Sequence, residues 1–298
     1  MSNRIDLHLH TNISDGSDSV QELYRKVKEA GIHTFSVTDH DRMEGTLEME
    51  KLIADDENWK SPDYNCPQNK ELHFIRGIEF SCITPVKKCH ILGYNFDPSN
   101  QEFLDTLELG IRLRQEKTQK RIDYWKNERG IELTKEEADW LYSVKSIGRP
   151  HFGQIILNRG LAPDLRTAIK EYVSPCKVGN DRIVAYVAIN AIRHAGGVAV
   201  WAHPLGGEGE KRLTHEEFYR QLKELIYCGI QGMECYYSRY SQEDIAFLLE
   251  EAKKHNLLIS AGSDYHGDNK PNLHIGKLSE NDMYVAEDKL SLYQLLIK

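Results

Sequence analysis

Hydrophobic and polar residues alternate at the start of the chain, in the segment IDLHLH. The apolar residues fall on one face of the strand that this pattern predicts, and Asp6, His8 and His10 fall on the other. Two imidazoles two residues apart converge on one point, where neutral histidines commonly bind metal. A half-exposed edge strand with ordinary surface histidines explains the same pattern, so this segment alone leaves both interpretations open.

Further β-rich runs along the chain predict strands that end in histidine or carboxylate residues. They are residues 34–38 before Asp39, His40 and Asp41, then ELHFIRGIEFS with Glu79, KKCHILGYNF with His90, GGVAVWAHP with His203, IQGMECYY with Glu234, and LLISAGSDYHG with Asp264 and His266. With the first strand, the pattern predicts seven strands. Amphipathic helices are predicted at residues 20–30, with Ser17 or Asp18 as N-cap, at 216–227 and at 242–255. Strands that alternate with helices and end in polar residues are typical of a parallel β/α barrel, an α/β fold.

One long segment, from about residue 98 to residue 182, interrupts this alternation. It predicts a long charged helix at 101–128, a capping box at Thr134 and Glu137, and helices at 152–158 and 165–172. We therefore expect a helical insertion domain at 98–182 within a discontinuous catalytic barrel formed by residues 1–97 and 183–298.

Composition narrows the class of protein. The 298 residues are 40% hydrophobic and 28% charged, as in an ordinary globular protein. The six cysteines, Cys66 among them, contain no C-x-x-C pair and are expected to be reduced and mostly buried. The sequence has no apolar run that could cross a bilayer and no signal-peptide pattern at its start, so we expect a cytoplasmic protein without a membrane partner. The net charge of −8 argues against binding to long nucleic acid, but not against a small anionic substrate held by metal ions.

Nine residues with side chains that bind metals lie at strand ends or in the loops that follow them. They are His8, His10, Asp15, His40, Glu79, His90, His203, Asp264 and His266. Each has an ordinary explanation when taken singly, but their repetition at one end of successive strands predicts a common site. Imidazoles mixed with carboxylates suit divalent manganese, iron or zinc better than calcium or magnesium. Nine ligands exceed what one ion uses, so we expect two or three ions.

Five motifs in order, DLHLHT, TDHD, GIEFS with HILGY, VAVWAHP and GSDYHG, resemble the polymerase and histidinol phosphatase (PHP) family. The resemblance covers residues 4–96 and about 190–268. It implies a distorted seven-stranded β/α barrel with a trinuclear metal site and phosphoesterase activity. The implied ligand sets are His8, His10, Glu79 and Asp264 for one ion, Asp15, His40 and His266 for a second, and His90, His203 and the shared Glu79 for a third. Asp6 and Asp39 are implied as groups that orient ligands, although Asp39 could equally cap the next helix.

The insertion resembles that of family members acting on nucleoside 3′,5′-bisphosphates, nucleotides or short RNA 5′ ends. Its IGRPH sequence implies that Arg149 and His151 bind a substrate phosphate, for which the planar fork of arginine is suited. The residue types alone favour a helix N-terminus with Pro150 in its first turn. Relatives often carry a histidine near the position of Tyr237, so this chain departs from the pattern there.

The resemblance also implies a mechanism, in which a metal-activated hydroxide attacks phosphorus. His203, His266 and Asp264 are the candidate catalytic residues, and His203, His266 or a water molecule could protonate the leaving group. The main expectation is a hydrolase acting on a small phosphorylated substrate, either a nucleotide or a short oligonucleotide. A histidinol-phosphate phosphatase or other small-molecule phosphomonoesterase would use the same ligands. A non-catalytic metal-binding module would be expected to have lost several of them, and a carboxylate-bridged amidohydrolase would need a strand-end lysine that the sequence lacks.

Overall fold

The predicted strands assemble into two β-sheets in the computed structural model, which describes residues 3–56, 73–177, 179 and 182–297. These residues form the strands β1 (Ile5–Leu9), β2 (Thr34–Val37), β3 (His73–Phe74), β4 (Gly77–Ile83), β5 (Lys88–Tyr94), β6 (Ile183–Val184), β7 (Val198–Trp201), β8 (Gly232–Tyr237) and β9 (Leu258–Gly262). One sheet has the order β1-β2-β3 and the other the order β6-β4-β5-β7-β8-β9. The architecture is therefore a mixed α/β fold.

Helices connect most of these strands. They are α1 (Val20–Glu29), α2 (Glu44–Asp55), α3 (Gln101–Arg129), α4 (Lys135–Ser143), α5 (Arg149–Asn158), α6 (Leu165–Ala168), α7 (Ala185–His194), α8 (His215–Tyr227), α9 (Gln242–Lys254) and α10 (Ser291–Leu296). No helix of the described residues is long and apolar enough to cross a membrane.

One strand departs from the parallel arrangement that the sequence predicted. β5 runs antiparallel to both of its neighbours, β4 and β7. Only residues 84–87 separate β4 from β5, and a parallel pair needs a much longer crossover connection. The short loop therefore folds this pair as a hairpin, while β7, β8 and β9 are parallel to one another.

Two isolated parallel bridges join the edges of the sheets. Leu9, at the end of β1, pairs with Tyr265 just after β9, and His40, just after β2, pairs with Glu79 in β4. Because these bridges lie at the same end of the strands, they bring residues from four distant parts of the chain together.

The helix N-terminus before α1 differs from its prediction. Ser19 is the N-cap, because its hydroxyl accepts the amide of Glu22 while the Glu22 carboxylate accepts the amide of Ser19. The predicted cap Asp18 instead accepts hydrogen bonds from Lys26 and Tyr265. Ser17 is also not the cap, since its hydroxyl accepts the amide of Asp268.

The predicted helix at 101–128 forms as α3, and the capping box of Thr134 and Glu137 starts α4 as predicted. The predicted helix at 165–172 is shorter in the structure, because α6 ends at Ala168 and a π-helical turn, Ile169–Val173, follows it. The predicted strand at 71–81 forms two strands, β3 and β4; Glu71 and Leu72 lie outside the described residues, as does Cys66. The other five cysteines are free thiols, three of them buried.

Helix α3 connects two hydrophobic cores. Phe103 and Leu107, near its start, pack with the core between the six-stranded sheet and its covering helices. Trp125, near its end, packs instead with Phe152 and Ile156 of α5 in a separate apolar cluster of the insertion. The indole N–H of Trp125 donates to the carbonyl of Tyr172, which satisfies its only donor in that core. The segment 101–173 thus has an apolar cluster of its own, which α3 connects to the core beside the six-stranded sheet.

Candidate metal centre

Two fully buried histidines of the first strand and the loop after it begin the site. The Nε2 atoms of His8 and His10 lie 3.1 Å apart. Glu79 Oε2 lies 3.3 Å from the first and 3.2 Å from the second. Asp264 Oδ1 lies 3.6 and 3.5 Å from the same two nitrogens. Four potential ligand atoms therefore converge, as the alternation of IDLHLH predicted for its two histidines.

A second group surrounds the carboxylate of Asp15, in the loop before α1. Asp15 Oδ1 lies 3.2 Å from His266 Nε2, 3.8 Å from His40 Nε2 and 4.0 Å from His10 Nδ1. These four residues form one set whose ligand atoms all lie within 4.8 Å of one another. His10 thus belongs by distance to this group as well as to the first.

The other oxygen of Glu79 faces a third group. Glu79 Oε1 lies 3.1 Å from His90 Nδ1 and 3.3 Å from His203 Nε2, and these two nitrogens are 3.2 Å apart. His40 Nδ1 lies 2.9 Å from Glu79 Oε2. The structure therefore brings all nine predicted ligands into one cluster, with Glu79 at its centre.

The donor atoms of this cluster fit bound cations. Asp15 Oδ1, His40 Nδ1, Glu79 Oε2 and His266 Nε2 are all buried and make no well-aligned hydrogen bond among the described residues, although they face one another in pairs at 2.9 and 3.2 Å. Buried polar atoms in native proteins are nearly always satisfied, and a shared cation would satisfy these four ligand atoms. Imidazole nitrogens and carboxylate oxygens are the ligands of transition-metal ions.

The protonation states of the clustered side chains also favour metal binding. Burial alone would raise the pKa of Glu79, but the neighbouring imidazoles, first those of His40 and His8, outweigh burial and hold this pKa well below its usual range. The carboxylate is therefore ionised. Burial lowers the pKa of His90 to about 4 and that of His266 to about 4, so these two imidazoles are neutral at pH 7 and keep a lone pair.

The backbone is unusual at the strand ends that carry the site. His203 and Asp264 have φ values of 30° and 58°, in the region where residues with a Cβ are uncommon. Such conformations persist where the surrounding structure enforces them, frequently at functional sites. Gly262, two residues before Asp264, leaves no room for a Cβ, which would collide with the Cβ of His8. The glycine therefore allows β9 to pack directly against β1.

Glu234, which is not among the nine predicted ligands, holds two parts of the cluster in place. Its Oε1 accepts a hydrogen bond from His8 Nδ1 at 3.0 Å, and its Oε2 accepts the backbone amide of His203 at 2.7 Å. The first bond leaves the Nε2 of His8 free to face Glu79. A carboxylate that fixes the far nitrogen of a ligand histidine is a regular feature of metal sites. The position of Glu234 on a predicted strand with a polar end is the sequence feature from which a role at the site could have been predicted.

The two aspartates expected to orient ligands differ in the groups that they bind. Asp6 accepts the amides of His8, Ser263 and Gly276 and so ties β1 to the segment after β9. Asp39 accepts bonds from Thr11 and from the hydroxyl of Ser14, which lies 3.3 Å from His10 Nδ1. Asp39 does not cap the next helix, because the N-cap of α2 is Met43.

Asp264 also has two partners outside the cluster. Tyr237, where relatives often carry histidine, is fully buried and donates its hydroxyl to Asp264 Oδ2 at 3.1 Å. Lys270 donates to the same oxygen at 2.8 Å. Both bonds leave Oδ1 of Asp264 facing His8 and His10.

The insertion contacts the cluster at the sequence IGRPH. Ser146 donates its hydroxyl to the carbonyl of His40, and a Cβ placed on Gly148 would lie 3.3 Å from the Asp15 side chain. Gly148 is the N-cap of α5, and its amide donates to His151 Nδ1. Arg149, the first residue of α5, is exposed. The IGRPH sequence therefore forms a helix N-terminus, and its residue Gly148 lies beside Asp15 of the cluster.

A mixed α/β fold with a buried imidazole–carboxylate cluster at its strand ends is typical of metal-dependent hydrolases. The chain belongs to the PHP domain family, whose model matches residues 6–175. It is 26% identical to the 3′,5′-nucleoside bisphosphate phosphatase of Chromobacterium violaceum, over 88% of this chain and 87% of that protein. It is also 26% identical to the 5′-3′ exoribonuclease Rnm of Escherichia coli, over 88% and 84% of the two chains.

A solved structure from Bifidobacterium adolescentis has the same fold, with a TM-score of 0.75 and 23% sequence identity, covering 95% of this chain and 94% of that one. The family resemblance seen in the five motifs is therefore confirmed. The chain is a PHP-type metal-dependent phosphoesterase, a hydrolase.

Proposed function

We propose that this phosphoesterase hydrolyses phosphate esters of nucleotides: nucleoside 3′,5′-bisphosphates, nucleoside monophosphates or short RNA ends. The observation that carries the proposal is the packing of the insertion against the metal cluster, with Gly148 beside Asp15 and Arg149 exposed next to it. The relatives named above act on a nucleoside bisphosphate and on RNA, and each matches 88% of this chain. This supports the assignment.

The nine clustered residues are proposed to hold two or three divalent ions of manganese, iron or zinc. Three ions would use the sets implied by the motifs, with Glu79 shared through its two oxygens. The distances also allow His10 and His40 to contribute to neighbouring sets. Bound ions supply the charge that lowers the pKa of a water molecule and that offsets negative charge on the phosphoryl oxygens.

The protein's own groups would then bind and orient the substrate. Arg149 donates to phosphate oxygens through its guanidinium fork, and His151 lies two residues further along the same helix. Burial lowers the pKa of His151, so a neutral ring faces this region. His203 and His266 are the candidates for protonating the leaving oxygen, and Asp264 holds its position through Tyr237 and Lys270.

The proposal includes the architecture around the site. The two bridges at the sheet edges support closure of the strands into a distorted seven-stranded barrel. The separate apolar core around Trp125 supports a helical insertion domain at 98–182 within a catalytic domain of 1–97 and 183–298. A cytoplasmic location stays a prediction from the sequence.

A phosphate-release screen tests the function. Purified, metal-loaded protein is incubated with nucleoside bisphosphates, nucleoside monophosphates, short RNAs, histidinol phosphate and an aryl phosphate. We expect the highest kcat/KM with a nucleotide. A clear preference for histidinol phosphate or for the simple aryl ester would refute the nucleotide assignment and favour a general phosphomonoesterase.

The variant Arg149→Ala tests the role of the insertion in the same screen. It should keep its metal content and fold, and lose about 2 to 4 kcal/mol of transition-state stabilisation on a substrate with a second phosphate. The loss should be smaller on the aryl phosphate, and Arg149→Lys should recover only part of it because an ammonium lacks the fork. An equal, small effect on every substrate would contradict this role.

A further inference from the structure

One tryptophan of the proposed insertion is exposed. Trp140, in α4, is 40% exposed, whereas Trp125 and Trp201, the other tryptophans that the structure describes, are 1% and 3% exposed. An indole carries one of the largest apolar surfaces of any side chain, and covering that surface is favourable. Single exposed apolar side chains are nevertheless ordinary, so the surroundings of Trp140 decide whether it serves binding.

Trp140 lies beside the residues that connect α5 to the metal cluster. Its ring centroid is 6.0 Å from that of His151. His151 Nδ1 accepts the amide of Gly148 at 2.9 Å, and a Cβ on Gly148 would lie 3.3 Å from the Asp15 side chain. After burial, the charges of Asp15 and Arg114 have the largest effects on the pKa of His151. Trp140 therefore adjoins a side chain that borders a proposed metal ligand.

The contact with His151 does not cover a face of the indole. The planes of the two rings make an angle of 56°, so the rings are tilted and not stacked. Arg149, which is exposed and is proposed above to bind a phosphate, begins the helix that carries His151. An open aromatic face, an imidazole and a guanidinium are thus present in one short region beside the cluster.

The helix that carries Trp140 is held firmly against α5. Leu141, the next residue, is fully buried in the same apolar cluster as Ile155 of α5. Glu137, in the first turn of α4, accepts a hydrogen bond of 2.7 Å from Nε of Arg159, the C-cap of α5. A side chain on an ordered backbone loses less conformational freedom when a ligand binds to it. Trp140 is therefore preorganised as a surface for a flat ligand.

We propose that Trp140 stacks against the nucleobase of the substrate. The inference rests on the proposed nucleotide function and names the residue that recognises the part of the substrate without phosphate. Every nucleobase has a flat π-face, so stacking on an indole buries apolar area on both partners and requires no particular base. A nucleotide carries its base and its phosphates on one ribose, which fits an aromatic face close to Arg149 and His151.

Kinetics with a matched pair of substrates, measured on metal-loaded protein, test the inference. The pair is adenosine 3′,5′-bisphosphate and its abasic analogue, a tetrahydrofuran ring that carries the same two phosphates. Trp140→Ala should raise KM for the nucleotide about 5- to 150-fold with little change in kcat, the range for one base stacked on an aromatic side chain. For the abasic analogue, kcat/KM should stay within about twofold of wild type.

Two further substitutions separate stacking from a loss of folding. Trp140→Phe should recover part of the affinity for the nucleotide, because a smaller ring still stacks. Trp140→Leu keeps apolar volume without an aromatic face and should recover less. Thermal unfolding and metal content of all three variants should match wild type. If Trp140→Ala does not fold, the comparison of the phenylalanine and leucine variants decides, and equal KM values for the nucleotide in these two would overturn the inference.

Tyr142→Ala is the matched control. Tyr142 is also an exposed aromatic residue of α4, but two residues along a helix rotate the side chain by about 200°, and its hydroxyl donates to Gln119 of α3 at 3.4 Å. This variant should leave both substrates unaffected. Arg149→Ala should weaken both, since both contain the second phosphate. If Trp140→Ala left the nucleotide unaffected, or lowered kcat/KM equally on both substrates, the inference would be overturned.

Competition separates this inference from the proposed function. If the wild-type enzyme does not hydrolyse nucleotides, the nucleotide assignment fails. Adenosine 3′,5′-bisphosphate and its abasic analogue are then measured as inhibitors of aryl phosphate hydrolysis. An inhibition constant that rises about 5- to 150-fold in Trp140→Ala for the nucleotide alone would support stacking. Inhibition by the nucleotide that is absent, or equal in both proteins, would overturn it.

Discussion

Replacing Glu234 by glutamine should weaken metal binding without unfolding the protein. The carboxylate accepts one hydrogen bond from His8 Nδ1 and one from the amide of His203, and both Glu234 and His8 are fully buried. A glutamine has the same shape but only one accepting oxygen, so one of the two N–H groups would face an amide N–H₂. The loss of one charge-assisted bond, about 1.5 to 3 kcal/mol, corresponds to about 10- to 100-fold in metal affinity.

Metal affinity is measured for Glu234→Gln by titration against a competing chelator, and kcat and KM are measured at saturating metal. We expect weaker metal binding, with much of the lost activity restored by excess metal, which a merely structural defect would not show. Glu251→Gln is the control, since Glu251 is also a buried carboxylate but lies on α9 and contacts Tyr219 and Lys254. Wild-type metal affinity in Glu234→Gln would refute the reasoning.

Three further changes have defined outcomes. His10→Ala and Asp264→Asn should each fold, by circular dichroism, yet lose several orders of magnitude in phosphate release; near-wild-type turnover would contradict their place in the cluster. Arg114→Ala leaves its buried ion-pair partner Asp41 without a counter-charge. It should lower the free energy of unfolding in urea by about 3 kcal/mol, and an unchanged urea midpoint would argue against the ion pair. Burial would raise the pKa of Glu287, but hydrogen bonds, first among them that of His33, lower it from 4.5 to about 2. The stability that the Glu287 carboxylate contributes is therefore complete above pH 4.5 and is lost as the pH falls toward 2. Urea melts from about pH 6 to about pH 3 should show a smaller loss of stability for Glu287→Gln than for wild type. Identical pH profiles of the two proteins would contradict this prediction.

The ligand cluster could be predicted because its information is local. Most of the ligands follow a short strand, and parallel strands place their ends at one edge of a sheet. Glu79 and His90 instead lie within β4 and β5, the antiparallel hairpin. The separation of His8 and His10 by one residue puts both imidazoles on one side of β1. The exact sharing of ligands could not be predicted, because His10 and His40 lie between two groups and only distances reveal it.

The contacts that support the cluster carry no such local signal. Glu234 could have been a ligand or an orienting group, since a strand-end carboxylate serves either purpose. Asp41 and Arg114 are 73 residues apart, and nothing in either neighbourhood predicts that they pair. The direction of β5 was predictable from the loop at residues 84–87, but an alternating pattern of strands does not itself contain strand direction. Tertiary packing, rather than residue pattern, decided the role of Glu234 and the pairing of Asp41 with Arg114.

Residues of the proposed insertion meet the rest of the chain beside the proposed ligands, where Ser146 bonds the carbonyl of His40, Gly148 lies against Asp15 and Arg114 pairs with Asp41. An engineer who grafts a new insertion at residues 98–182 to change substrate preference therefore has to retain three things: a hydroxyl, a residue without Cβ and a cation at these places. A graft that lacks the cation leaves a buried charge next to His40, so it would disturb metal loading before it could alter selectivity. A change of substrate range through the proposed insertion is therefore linked to metal binding. We expect the insertion to tolerate substitutions best at positions other than Arg114, Ser146 and Gly148.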